Sequence, residues 1–368
     1  IPIVAFVVAL AALVGVRLFI GASEPDAPVA ADGTTPSDRA DVDGVRFTDV
    51  TEAAGLDEPH SDTDLTGESA MTAGAAVADV DRDDDLDVYL ARVGRQNRLL
   101  LNDGSGAFTD RTEAAGVGGN DPAEGSSAAA FADVDADGDA DLVVTGAGRN
   151  GTTLYLNDGS GGFSDATSAS GLDDLPALPE GKLAQMHGVT FADYDQDGLL
   201  DLLVTHWDDV IPAALGDPAA NSIEPDADGS IVCARAKWLA DRGFPRADGA
   251  PANRGRLYRN EGGGRFRDVS SEVGLPFREV LGFTGSFADV DGDGWQDLLL
   301  TGDFCTSRLF RNIGGTRFED VTAAAGVGTD ENGMGSVVTD LNGDGRPDWF
   351  ITGIVPVGDQ AAPLDLGG

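Results

Sequence analysis

One phrase recurs five times in this chain and constrains its fold more than any other feature. It has the form D-x-D-x-D-G-x-x-D, and its copies begin at Asp79, Asp133, Asp193, Asp289 and Asp340. Successive copies lie about 50 to 60 residues apart, except for one longer interval after the third. A second phrase follows four copies in step, in forms such as TTLYLNDGSGGFSDATSASGL from residue 152 and GRLYRNEGGGRFRDVSSEVGL from residue 255. Internal repeats of this length predict stacked structural units.

Each repeat is predicted to form four short β-strands. In the second repeat these are AAAFADV, DLVVTG, TTLYLN and FSDAT, with the acidic phrase after the first strand and a DGSGG hairpin turn before the last. Four antiparallel strands cannot bury both faces alone, so the units must pack around an axis. The sequence therefore predicts an all-β fold, a β-propeller with five motif-bearing, four-stranded blades.

The acidic phrase is predicted to bind Ca²⁺. Aspartates at positions 1, 3, 5 and 9 and a backbone carbonyl at position 7 can converge on one centre, and six to eight hard oxygen ligands suit this ion better than Mg²⁺. A dication would also turn the repulsion among these carboxylates into attraction. Up to five sites are expected, with these candidate ligands: Asp79, Asp81, Asp83, Asp85 and Asp87; Asp133, Asp135, Asp137, Asp139 and Asp141; Asp193, Asp195, Asp197, Leu199 and Asp201; Asp289, Asp291, Asp293, Trp295 and Asp297; Asp340, Asn342, Asp344, Arg346 and Asp348.

Two other interpretations of the acidic phrase are weaker. An EF-hand needs Glu at position 12 and flanking helices, whereas position 12 is apolar here, as at Leu90 and Val144. Halophilic solvation could explain one acidic cluster, but not five in phase with a strand repeat. Asp84 replaces the turn glycine of the first copy and Asn342 supplies a neutral oxygen in the last, so we expect weaker binding at these two.

Composition limits the partners. The chain has 64 acidic against 24 basic residues and a formal net charge of -40, which argues against nucleic acid and anionic membrane surfaces. The charge and the scarcity of lysine are typical of a halophile. Residues 1–21 are apolar apart from Arg17 and predict a signal peptide or N-terminal membrane anchor. Residues 22–44 form a Pro, Ala and Asp-rich linker, and residues 45–368 form the propeller. We therefore expect an extracellular or cell-surface location, with membrane contact only through the N-terminal segment.

The repeats resemble a known family. FADVDGDGWQDLLLTG, MGSVVTDLNGDGRPDWFITG and LYRNEGGGRFRDVS are similar to the FG-GAP repeats of integrin α-subunits and to VCBS repeats, and FTDVTEAAGL resembles the cartilage acidic protein type, which often carries an ASPIC/UnbV segment. The resemblance implies a seven-bladed, calcium-stiffened propeller, usually exported and used in adhesion or recognition. The phrase VRFTDVTEAAGL at 45–56 is predicted as a fourth strand that completes the last blade. Either five blades close the ring or the parent protein contains more.

The remaining candidate residues are predicted on the face opposite the acidic turns. An insertion at about 207–254 separates the second and third strands of the third repeat and contains Cys233, while Cys305 lies in the corresponding loop of the next repeat. Neighbouring loops on one face predict a disulfide between them. The three histidines, His60, His187 and His206, are expected in loops on this face.

Three functions fit these features. The leading hypothesis is a non-catalytic module that recognises an extracellular protein or glycan. The alternative is a propeller-based polysaccharide lyase or glycoside hydrolase, or its binding module, for which only Trp207 and Trp238 suggest an aromatic sugar platform. The third is a purely structural surface protein. The sequence contains no recognisable catalytic motif.

Overall fold

The computed structural model describes residues 47–57, 59, 74–119, 125–146, 151–173, 186–207, 255–277, 280–303, 305–328, 330 and 332–353. The chain divides into two compact units, Ile1–Glu58 with Ser105–Phe108, and Pro59–Gly104 with Thr109–Gly368. The predicted signal or anchor segment, the linker, nearly all of the insertion, Cys233, Trp238 and His60 lie outside the described residues. No helix within the described ranges is long and apolar enough to cross a membrane.

The described residues form five antiparallel sheets, each with its strands in chain order. We call these sheets blades 1 to 5. Blade 1 contains β1 (Gly74–Ala78), β2 (Asp87–Ala91), β3 (Arg98–Asn102) and β4 (Phe108–Asp110), and blade 2 contains β5 (Ala128–Ala132), β6 (Asp141–Thr145), β7 (Thr152–Asn157) and β8 (Phe163–Asp165). Blade 3 contains β9 (Met186–Ala192), β10 (Asp201–His206), β11 (Arg256–Asn260) and β12 (Phe266–Asp268). Blade 4 contains β13 (Gly282–Ala288), β14 (Asp297–Gly302), β15 (Arg308–Asn312) and β16 (Phe318–Asp320), and blade 5 contains β17 (Gly333–Thr339) and β18 (Asp348–Gly353).

The blades of the larger unit are arranged side by side around their first strands. β1 lies next to β5, β5 next to β9, β9 next to β13 and β13 next to β17. Threonine hydroxyls link these inner strands, since Thr190 Oγ1 donates to the Gly285 carbonyl at 2.9 Å and Thr284 Oγ1 to that of Met334 at 3.0 Å. The all-β fold built from propeller blades is therefore confirmed.

Hydrophobic cores lie between adjacent blades rather than within one. Tyr89 and Leu99 of blade 1 pack in one cluster with Leu142 and Tyr155 of blade 2. Two similar clusters join blade 2 to blade 3 and blade 3 to blade 4. The second strands β6, β10 and β14 are buried along their whole length, because blades cover both of their faces.

A single helical turn follows the fourth strand in three blades, which the sequence analysis did not predict. These turns are α1 (Thr112–Ala115), α2 (Thr167–Ser170) and α3 (Thr322–Ala325). The aspartate that ends the strand starts the turn: Asp110 Oδ1 accepts from the Thr112 N–H at 2.9 Å, and Gly116 ends the helix in the left-handed region at φ 79°. The F-x-D-x-[ST] pattern carried this signal.

The N-terminal phrase of the smaller unit is not a strand where the structure describes it. Residues 47–50 lie in no strand, and 51–55 form a turn. The Phe108 N–H donates to the Ala54 carbonyl at 3.0 Å, as the Phe318 N–H does to Val273 in blade 4. The phrase thus makes the usual contact of its turn, but no third strand pairs with 47–50 within the described residues.

Candidate metal centres

Each acidic phrase is a tight turn organised by its first aspartate. Both oxygens of this side chain accept backbone N–H groups, from position 5 and position 6 of the same turn. In blade 2, Asp133 Oδ1 accepts from Asp137 at 3.1 Å and Oδ2 from Gly138 at 3.0 Å. The same pair of bonds forms at Asp79, Asp193, Asp289 and Asp340. The turns are therefore folded alike in all five blades.

The aspartate at position 9 anchors the turn to its blade. In blades 1 to 4 it is buried, Oδ2 accepts from the position 2 N–H, and Oδ1 accepts from the N–H of an asparagine that ends the third strand. In blade 4, Asp297 accepts from Val290 at 3.0 Å and from Asn312 at 2.8 Å. The others are Asp87 with Asn102, Asp141 with Asn157 and Asp201 with Asn260.

Three carboxylates meet in each of the first four turns, with oxygen atoms within 4.8 Å of one another. The groups are Asp79, Asp81 and Asp87; Asp133, Asp135 and Asp141; Asp193, Asp195 and Asp197; and Asp289, Asp291 and Asp297. Other predicted side-chain ligands, such as Asp83, Asp137, Asp293 and Asp201, lie outside these groups. The fifth turn forms no such three-carboxylate group in the part of the chain that the structure describes, which fits its neutral Asn342.

The backbone of the position 7 residue is hydrogen-bonded to the aspartate at position 5. The backbone N–H groups of Asp85, Asp139, Leu199, Trp295 and Arg346 each donate to the position 5 carboxylate at 2.9 to 3.0 Å. Their carbonyl ligation of a metal stays a prediction. Asp84, at the place of the turn glycine, adopts φ 70°, so it fills the left-handed position as expected.

The groups suit a hard cation. In blade 1, Asp81 Oδ1 is buried and has no hydrogen-bond partner. Burying such an oxygen costs free energy unless a hydrogen-bond donor or a cation pairs with it. Burial, reinforced by Asp83 and Asp79, raises the pKa of Asp81. Burial also raises the pKa of Asp141 to about 6 and that of Asp201 to about 7. Carboxylates that are buried and crowded in this way are ligands that a cation would stabilise.

An asparagine that the sequence analysis missed ties the acidic turns of blades 1, 2 and 3 to the next blade. Asn312 of blade 4 donates through Nδ2 to the Gln296 carbonyl of its own blade at 3.0 Å and to the Tyr194 carbonyl in the acidic turn of blade 3 at 2.9 Å. Asn157 and Asn260 make the equivalent bonds to Val80 and Val134 of the preceding blades. The signal was present, since this asparagine recurs in every copy of the hairpin phrase.

The hairpin that follows the asparagine rests on the same neighbouring turn. Gly315 in blade 4 has φ 69°, and a Cβ added there would lie 2.8 Å from the Asp195 Cα in blade 3. A side chain is therefore excluded at this point of contact. Each acidic turn of blades 1 to 3 is thus part of an interface between two blades.

The opposite ends of the strands carry the other candidate residues. Cys305, in the loop between β14 and β15, is disulfide-bonded, and its pairing with Cys233 stays a prediction because Cys233 lies outside the described residues. His187 lies in β9 and His206 ends β10, so both are in strands and not in the loops that the sequence analysis expected. Strand pairing extends further than the turn signals indicated.

Trp207 is not an exposed sugar platform. It is buried, stacks on Phe283 with ring centroids 6.1 Å apart, and donates through Nε1 to Asp303 Oδ2 at 3.1 Å. Its role is to close the core between blades 3 and 4 at this end. The described residues therefore give the sugar-cleaving alternative no support from this side chain.

The repeat matches a family model. A model described as an FG-GAP-like repeat matches residues 79–144, 133–204, 247–300 and 289–351, more than half of the chain. The chain belongs to the FG-GAP-like repeat family. Three of the four FG-GAP matches begin at the first aspartate of an acidic turn and end in the second strand of the next blade, so the family pattern covers the turns and the interfaces between them.

Solved structures show low overall similarity to this FG-GAP protein. One describes specific recognition of non-reducing terminal N-acetylglucosamine by an Agrocybe aegerita lectin, with 17% identity, coverage of 76% of this chain and 74% of that chain, and a TM-score of 0.30. Another is the V. cholerae biofilm matrix protein Bap1, with 12% identity, coverage of 76% and 34%, and a TM-score of 0.35. The match thus spans about a third of Bap1. No curated protein sequence matches the chain.

Proposed function

We propose that this FG-GAP protein is an exported, calcium-binding propeller that acts as a non-catalytic recognition or adhesion module for an extracellular protein or glycan. The observation that carries the calcium part is the carboxylate group of blade 1, in which Asp79, Asp81 and Asp87 bring oxygen atoms within 4.8 Å of one another and one Asp81 oxygen is buried without a hydrogen-bond partner. Similar groups recur in blades 2, 3 and 4.

Calcium would stiffen the interfaces between blades. Asp79, Asp81 and Asp87 would hold the ion in blade 1, and the three-carboxylate groups of blades 2, 3 and 4 would do so there. The bound ion supplies positive charge that offsets the mutual repulsion of the carboxylates. Because the next blade donates a hydrogen bond to the same turn, as Asn157 does to Val80, order gained in the turn is passed to the neighbouring blade.

Two features support a recognition role outside the cell. All five acidic turns join first to second strands and so lie at one end of the sheets, which leaves the loops at the other end free to vary in length. The longest of these is the insertion at 207–254, and long loops on a rigid scaffold often bind ligands. The disulfide at Cys305 belongs to the same end and suits an oxidising, extracellular compartment.

The calcium proposal is tested by titrating the chelator-treated full chain with CaCl₂ in a calorimeter and by recording its melting temperature with and without excess chelator. We expect about four equivalents of Ca²⁺, one for each carboxylate group, and a higher melting temperature with the ion. Asp81→Asn should remove or weaken one equivalent. Glu113→Gln, which removes the same charge from an exposed side chain of helix α1, should not. A titration without heat and a melting temperature insensitive to chelator would refute the proposal.

The recognition proposal is tested by passing the calcium-loaded chain over immobilised polysaccharides and extracellular matrix proteins, and by incubating it with each bound polysaccharide. We expect saturable binding to at least one surface and no shortening of the polysaccharide by size-exclusion chromatography. Release of shorter chains would favour the lyase or hydrolase alternative. Absence of binding to every surface would favour the purely structural role.

A further inference from the structure

The residue just before the asparagine that ends the third strand differs between two pairs of blades. Blades 1 and 2 have Leu101 and Leu156 at this position of the third strand, whereas blades 3 and 4 have Arg259 and Arg311. Leu101 and Leu156 pack against the hydrophobic clusters between blades. A charged side chain at the same place must find another environment.

Both arginines reach the acidic turn of their own blade. Arg259 Nε lies 2.7 Å from Asp195 Oδ2, and its Nη2 lies 3.0 Å from Asp197 Oδ2. The Nε–H is not aligned with Asp195, so that contact is an ion pair rather than a hydrogen bond. Arg311 repeats the arrangement in blade 4, with Nε 2.6 Å from Asp291 Oδ2 and Nη2 3.4 Å from Asp293 Oδ2. Each guanidinium therefore joins positions 3 and 5 of its turn.

Among the described residues, no arginine makes such a contact with the position 3 aspartate of blade 1. There Asp81 Oδ1 stays buried without a hydrogen-bond partner. Arg82, in the same turn, pairs instead with the side chain of Asp139 in blade 2, a position 7 residue expected to bind metal only through its carbonyl. Blades 1 and 2 therefore present their position 3 carboxylates to a cation without a third-strand arginine beside them.

We infer that Arg259 and Arg311 are tethered counter-cations that hold the turns of blades 3 and 4 together without metal and weaken calcium binding there. The chain then has two classes of site: tight sites in blades 1 and 2, whose order depends on calcium, and weak sites in blades 3 and 4. Blade 1 thus departs from the weaker binding expected from its sequence, because Asp84 takes the left-handed conformation of the turn glycine. This inference rests on the calcium part of the proposed function. The effect is larger in blade 3, because Asp195 is 11% exposed and Asp291 33%.

The test exchanges the two residue types in the full chain. Arg259→Leu and Arg311→Leu place the residue of blades 1 and 2 in blades 3 and 4, and Leu156→Arg makes the reverse change. Arg267→Leu is the matched control, because Arg267 lies opposite Arg259 on the neighbouring strand but pairs with Glu261 and Glu272. Calcium affinity is measured by calorimetry, and the melting temperature is measured in excess chelator.

We expect the unmodified chain to show two affinity classes. Arg259→Leu should tighten one weak site about tenfold and lower the melting temperature in chelator, with smaller changes for Arg311→Leu. Leu156→Arg should weaken one tight site, and Arg267→Leu should alter neither class. If Arg259→Leu misfolds, Arg259→Gln replaces it in the test, because it removes the charge but keeps a polar side chain. Arg259→Gln should tighten the same site.

The two proposals fail in different ways. If the unmodified chain binds calcium but no arginine variant changes any affinity, the counter-cation role is wrong and the calcium proposal stands. If the unmodified chain binds no calcium, the calcium proposal fails. The melting temperatures in chelator then still decide whether Arg259 holds its turn: equal values for Arg259→Leu and Arg267→Leu would overturn that role.

Discussion

Blades 4 and 5 share one sequence pattern but differ in their surroundings. Leu299 in β14 and Phe350 in β18 are equivalent, since each pairs with the corresponding residue of its first strand, Ser286 or Val337. Leu299 is 1% exposed, whereas Phe350 is 51% exposed. The difference shows that a third strand and a neighbouring blade, rather than the apolar residue itself, produce burial in this fold.

The acidic turns of the two blades show the same contrast. Asp297 is fully buried and accepts from Val290 and Asn312. Asp348 accepts from Leu341 at 2.9 Å, but no third strand supplies an asparagine to it within the described residues. The first-to-second strand turn therefore folds by itself, and its anchoring to the blade comes from the third strand.

The largest expected effect is a difference in stability between alanine variants of the two equivalent residues, Leu299 and Phe350. Leu299→Ala should lower the free energy of unfolding by about 3 kcal/mol, because it leaves a cavity in a closed core. Phe350→Ala should lower it by less than about 1 kcal/mol, because half of the ring already contacts solvent. Urea unfolding of both variants measures the difference. Similar losses would mean that blade 5 is packed as tightly as blade 4.

The second effect concerns the anchoring aspartates, measured in excess chelator so that loss of metal does not contribute. Asp297→Ala leaves the buried Asn312 N–H and the partly buried Val290 N–H without an acceptor and should cost about 2 kcal/mol. Asp348→Ala removes one exposed hydrogen bond and should cost about 0.5 kcal/mol or less. An equal loss of unfolding free energy in the two variants would contradict the role given to the third strand in anchoring the turn.

The third effect tests the bond between blades. Asn260→Ala removes the Nδ2 donor from Val134 in blade 2 and from Leu200 in blade 3, and should cost about 1 to 2 kcal/mol. Amide hydrogen exchange should then rise around Val134 as well as around Leu200. Faster exchange confined to blade 3 would show that the asparagine supports only its own blade.

Residue types and spacing predicted the strands and turns but not the contacts between blades. The alternation and turn residues of the second repeat were sufficient to place β5 to β8, because these signals are local. The roles of Asn157 and Asn260 depend on carbonyls more than 75 residues away along the chain, so the strand pattern alone could not assign them. Arg259 likewise appeared in the sequence as one more strand residue, and only the structure shows its guanidinium beside Asp195.

The smallest effect concerns the fourth position of the acidic turns, which is left-handed in every blade. Blades 4 and 5 have glycine there, Gly292 and Gly343, whereas Ala136 in blade 2 adopts φ 66°. Ala136→Gly should raise stability by about 0.5 to 1 kcal/mol, because it relieves the clash of the Cβ with the backbone by more than it loses in chain entropy. The reciprocal Gly292→Ala should lower stability by a similar amount. Thermal melts in excess chelator measure both, and a loss of stability in Ala136→Gly would show that the alanine methyl makes a stabilising contact that offsets the strain.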